Sequence, residues 1–154
     1  MKKKLLAIAL ATTLTAPTMA DYYKSVDEFE GTEIHIAMWT SGSWAKVPNS
    51  SDNGILAYRC QSGNGEWMFN GAPYISSSES YVNIQYKFDG VKGMVIAGPL
   101  NNGILVMTSD LDDLVKSSNE ALIRITGYSD TKTYRFDLSG STADLNKAKK
   151  GGGC

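Results

Sequence analysis

Ser43 and Lys46 stand three residues apart, the spacing at which a helical lysine can serve as base for a serine nucleophile. Ser51-Asp52-Asn53 and Lys132-Thr133-Tyr134 look like fragments of the companion boxes of such an enzyme. That chemistry needs the serine to open a buried helix of a far larger domain, a second box tens of residues downstream, and a glycine after Lys-Thr. Here the first two boxes share one polar run, SGSWAKVPNSSDNG, broken by Pro48 and Gly54, and Tyr134 stands where the glycine is needed. The run reads as a loop.

The chain's single histidine, His35, cannot build a multi-histidine metal site, and its place in IHIAMW predicts a plain surface role. Asp110, Asp112 and Asp113 fall short of a calcium loop, since Leu114 stands where an oxygen ligand and then a glycine are required. Acids in the first turn of a helix account for them. Gly63 and Gly65 lack a third glycine and a following helix, so they mark a turn and not a nucleotide site. A hydrolase would have to use scattered carboxylates such as Glu66, Asp89 and Asp137. No cofactor and no metal are expected. The remaining set is aromatic: Trp39, Trp44, Trp67, Tyr74 and Tyr81, with Lys46, are the candidate binding residues. Such side chains bury much area at little entropic cost.

The elements that would carry these residues are mostly strands. IHIAMW alternates, with Ile34, Ile36 and Met38 on one face and His35, Ala37 and Trp39 on the other, the second taken as polar. ILAYRC, the run after Gly63-Asn64-Gly65, and YVNIQYKFDG continue the pattern, the last with Val82, Ile84, Tyr86 and Phe88 facing a core. GMVIAGPL and GILVMTS form a hairpin; ALIRITGY and KTYRFDL form another around Gly127 to Asp130. SDLDDLVKSS shifts to helical spacing with Ser109 as N-cap and Asp112 completing a capping box. SGSTADLNKAKK predicts a terminal helix capped by Ser141, and the glycines after it predict a flexible tether to Cys154. The expected fold is mainly β: an antiparallel sandwich or barrel of about seven to eight short strands with two short helices, in one domain over residues 21–154.

Lys2, Lys3 and Lys4, the apolar run Leu5 to Leu14, and APTMA have the composition of a secretory signal peptide over residues 1–20, with cleavage expected after Ala20. The apolar run is about half what a membrane span needs, so the mature chain is expected to lack an integral membrane segment. Cleavage would move the balance from 15 bases against 16 acids to 12 against 16, which disfavours nucleic acid as a partner. Two cysteines in an exported chain have only each other, so Cys60 and Cys154 are expected to pair. A glycine-rich end with a terminal thiol is also the form of an appended chemical handle, and that reading stands beside the first.

LAYRC, YISSSESYVNIQYKFDG and ALIRITGYSDTKTYRFDLSGSTADL with its closing cysteine together resemble the small periplasmic proteins associated with type VI secretion, of the VasI/TagO type. The likeness covers roughly residues 55–154, and the last segment is also similar to the end of the invasion-associated locus B family. It implies that Arg59 precedes the bridging Cys60, that Arg124 and Phe136 lie on paired strands, and that Cys154 closes the domain. These are structural positions. The resulting expectation is a periplasmic or secreted, non-enzymatic binding or accessory module of the bacterial envelope, linked to secretion, whose partner is an envelope protein. The alternative is a secreted inhibitor that inserts the 40–54 loop, with Trp44 and Lys46, into a cell-wall hydrolase.

Overall fold

A computed structural model of the chain describes residues 20–41, 54–73, 81–100 and 104–154. Nine strands are present there: β1 (Ala20–Asp27), β2 (Thr32–Thr40), β3 (Ile55–Gln61), β4 (Asn64–Asn70), β5 (Val82–Phe88), β6 (Val91–Pro99), β7 (Ile104–Met107), β8 (Glu120–Thr126) and β9 (Thr131–Asp137). Helix α1 (Asp112–Ser117) lies between β7 and β8, and α2 (Ser141–Gly152) follows β9. All strand pairs are antiparallel, in one open sheet ordered β1-β2-β3-β4-β7-β6-β5-β8-β9. The mainly β expectation holds, the strands belong to one sheet, and β1 is a strand that the sequence pattern did not single out.

Two tight turns fix the register of their hairpins. Asp89 and Gly90, both at positive φ, join Phe88 to its partner Val91, as the Asp-Gly signal predicts. In the β3–β4 hairpin the turn residues are Ser62 and Gly63, at φ 52° and 80°, and Gln61 pairs with Asn64. The turn therefore sits one residue earlier than the Gly63-Asn64-Gly65 reading placed it. Gly65 belongs to β4, where a side chain would overlap the Tyr58 ring.

One face of the sheet carries the core: Trp39, Leu56, Phe69, Ile84, Phe88, Leu105, Ile123, Ile125, Tyr134 and Phe136 are almost wholly buried. The sheet curls so that this inner face meets itself, with Phe69 of β4 and Tyr134 of β9 at 4.9 Å between ring centroids. The Tyr134 hydroxyl donates to the Gly71 carbonyl across the same gap.

Helix α2 lies on the inner side of β1, β2 and β3. Its buried residues Ser141, Leu145 and Ala148 follow helical spacing, and Leu145 and Ala148 are fully enclosed. The expected caps shift by small steps. Gly140 occupies the N-cap of α2 in the left-handed region, and Ser141 is its first helical residue, donating its hydroxyl to the Leu138 carbonyl. Leu111 precedes α1, where the Asp110 carboxylate, in place of Ser109, accepts from the Asp112 amide at 2.9 Å.

The terminal glycines are not a tether. Gly151 and Gly152 continue α2, and Gly153 ends it at φ 79° while the Cys154 amide donates to the Lys149 carbonyl at 2.9 Å. Cys154 is bonded to Cys60 of β3, with 6.2 Å between the Cα atoms.

Candidate functional site

Three constellations gather the polar chemistry of the described residues. The first is centred on Trp67 of β4, whose indole N–H donates to Asp110 Oδ1 and Asp112 Oδ1, each at 3.1 Å. Asp112 is buried, and its Oδ2 takes the Lys149 ammonium of α2, with Lys116 Nζ at 3.5 Å from the same oxygen. Lys149 also stands 5.3 Å from the centroid of the Tyr58 ring, over its face. Burial pushes the Asp112 carboxyl upward, but the hydrogen bonds from Lys149 and Trp67 outweigh it and hold the group below the usual carboxylate range. The same partner raises Lys149, and burial raises the Tyr58 phenol. Both Asp112 oxygens are committed to partners, so the cluster ties α1, α2 and β4 together. A small cleft of about 210 Å3 beside it is lined by Tyr58, Glu66, Trp67, Thr108 and Asp110.

The second lies under the far end of α2. His35 is 3% exposed, against the surface role its strand predicted. Its Nδ1 meets the Tyr22 hydroxyl at 2.7 Å, its Nε2 meets Glu33 at 3.2 Å, and Lys24 pairs with Glu33 at 2.6 Å. A Cβ at Gly151 would fall within the His35 ring, so only glycine lets the helix roof the imidazole. The faces of β2 are the reverse of the polar assignment: His35, Ala37 and Trp39 point inward, and Ile34, Ile36 and Met38 are half-buried on the outer face.

The predicted binding residues do not converge. Trp39 and Trp67 stack at 5.6 Å between centroids inside the core, 0% and 2% exposed, which leaves them no surface to offer a partner. Tyr81, just before β5, is exposed. Trp44, Lys46 and Tyr74 lie outside the described residues, as does most of the 40–54 loop. The three scattered carboxylates are also apart: Glu66 pairs with Arg59 on the outer face, Asp89 accepts from the Asn119 and Glu120 amides at 2.9 Å each, and Asp137 accepts from the Ser139 amide.

The third constellation is on the outer face, where sequence reasoning had singled out nothing. Register places Met38, Ala57, Met68 and Val106 side by side across β2, β3, β4 and β7, and all four are half-buried. Beyond them on β6, Met94 and Ile96 are exposed. Next to these, an open depression of about 600 Å3 is lined by Gln85, Lys87, Lys92, Met94, Leu122 and Arg124. Lys87 pairs directly with Lys92, and Gln85 with both Met94 and Arg124. Only strand pairing reveals this set, because its members lie on separate strands and meet only through the register of the sheet.

Among known proteins, no family model, no curated sequence and no solved structure matches the chain. The functional reading therefore stands on the residues and their arrangement. No helix among the described residues is long and apolar enough to cross a membrane.

Proposed function

We propose that the chain is an exported, non-enzymatic binding module of the bacterial cell envelope that presents the outer face of its sheet to an envelope protein. The observation that carries this reading is the apolar row Met38, Ala57, Met68 and Val106, extended by exposed Met94 and Ile96, on the face opposite the core. A solvated sheet face ordinarily alternates to polar residues, so a continuous apolar row there is the composition of a contact surface. The buried titratable residues His35 and Asp112 support it from the other side, since both are engaged in structural bonds, His35 with Tyr22 of β1 and Glu33 of β2, and Asp112 with Lys149 of α2. The likeness of residues 55–154 to the periplasmic VasI/TagO-type proteins, together with the signal-like N-terminus, favours a periplasmic or secretion-linked setting.

The test is site-specific photocrosslinking in the periplasm. A crosslinker at Met38, Met68 or Ile96 is expected to trap a discrete envelope protein, and one at exposed Asn146 on α2 is not. Equal trapping from all positions, or cleavage of peptidoglycan by the pure protein that vanishes with an acid-to-amide change, would overturn the reading.

A further inference from the structure

We propose that the depression on the outer face of β5, β6 and β8 binds a phosphate ester, and that its apolar flank selects an ester carrying a hydrocarbon chain. Three cations, Lys87, Lys92 and Arg124, border one concavity, and all three are exposed. None of them forms an ion pair among the described residues. The acids at the start of β8 and in the β5–β6 turn are already committed: Glu120 pairs with Arg135 at 2.7 Å, and Asp89 accepts from the Asn119 and Glu120 amides.

Lys87 and Lys92 are direct cross-strand partners, and like charges in that position destabilise a sheet. Lysines often guard the edge strands of sheets against aggregation, and Lys92 lies on the part of β6 that pairs with β5 alone, but Lys87 is on β5 where that strand is paired on both sides, so edge protection does not account for the opposed pair. Solubility is a poor reason too, because acids outnumber bases over the whole chain, 16 to 15. An anion seated between the lysines removes the repulsion, and Arg124 adds a planar donor fork suited to phosphate oxygens. The Gln85 side chain, with one cation beside it on its own strand and another across on β8, adds neutral donors. The apolar part of the preference comes from Met94 and Leu122, which line the same depression, and from exposed Ile96, two residues along β6 on the same face as Met94.

The experiment titrates the oxidised mature protein with glycerol 3-phosphate and, separately, with short-chain phosphatidylglycerol below its micelle concentration, reading binding by calorimetry. Both probes should bind, the lipid more tightly, and each neutralised cation in Lys87→Gln, Lys92→Gln and Arg124→Gln should weaken binding about ten-fold. Binding of neither probe, or binding unchanged in the triple variant, overturns the site. Equal affinity for the two probes overturns the apolar selection.

A second readout needs no ligand. Lys92→Gln alone should unfold at the same or a higher urea concentration than the parent, since it relieves the opposed charges, and a clear loss of stability would mean the pair serves the fold. The crosslinking of an envelope protein at Met38 or Met68 does not depend on these cations, so each proposal can fail without the other.

Discussion

At Gly151 and Gly152 two effects of known size oppose each other. Replacing a helical glycine with alanine gains about 1 kcal/mol of intrinsic propensity, yet a Cβ at Gly152 would lie 2.7 Å from the Cys60 carbonyl oxygen, and one at Gly151 would overlap His35. Neither neighbour can swing away: one is main chain in β3, the other an imidazole held at both nitrogens. Overpacking of this kind costs about 1–3 kcal/mol, so Gly151→Ala and Gly152→Ala are each expected to lower the urea midpoint, whereas Asn146→Ala on the exposed side of α2 leaves it unchanged or raises it. A rise in either glycine variant would mean α2 does not sit this closely on the sheet. Asp112 supplies a prediction in pH. Its folded carboxyl titrates below the unfolded value of about 3.9, so its contribution is complete above that value and is lost as pH falls through the folded one. Asp112→Asn is expected to cost about 2 kcal/mol at neutral pH and to flatten the fall in stability on acidification below about pH 4. Urea titrations of both proteins across that range check it, and parallel acid curves would contradict the assignment.

At the scale of elements, the strands whose two faces differ sharply were legible in the sequence, and those with two apolar faces were not. Val82, Ile84 and Phe88 alternate with Asn83, Gln85 and Lys87, and β5 has that phase in the structure. In β2 both faces are apolar enough to be core, and what decides between them is α2, more than 100 residues away in sequence, which covers His35 and Ala37. The same separation hid the helix's own end. Three glycines resemble a tether when their neighbours are unknown, and become a close-packed helical turn once His35 and Cys60 are placed beneath them. The Trp67–Asp112–Lys149 cluster joins residues from three elements, and no local pattern marks it. The cysteine pairing was legible because two cysteines allow one pairing. It closes a segment of sequence separation 94, and loop closure of that size stabilises by about 4.5 kcal/mol in the chain-entropy account. Cys154→Ser is therefore expected to lose several kcal/mol in urea unfolding, as is the parent under reductant, and a loss below about 1 kcal/mol would show that α2 docks independently of its bond.

At the scale of the molecule, the sheet's curvature brings together what its connectivity keeps apart. Passing from β4 to β9 through β7, β6, β5 and β8 crosses five strand spacings, which in a flat sheet amounts to roughly 24 Å. The rings of Phe69 and Tyr134 nevertheless lie 4.9 Å apart, with Phe136 edge-on to Phe69 at 6.3 Å. Strand twist must therefore accumulate into a coil that closes the core by side-chain contact, while β1 and β9 remain the two ends of an open sheet. This explains why a sandwich or barrel was the natural expectation from the sequence: the number of strands and their one-sided burial are those of a closed β domain, and the order of pairing is invisible until the register is known. If the two limbs are held by these rings, Phe69 and Tyr134 must be coupled energetically across 65 positions of sequence. A double-mutant cycle of Phe69→Leu and Tyr134→Leu is expected to give a coupling of roughly 0.5–1.5 kcal/mol. Phe69→Leu paired with Val91→Ala, an exposed residue outside the core, should be additive within about 0.5 kcal/mol. Additivity in the first pair as well would mean that the limbs part in solution and that the core is closed by something other than this contact.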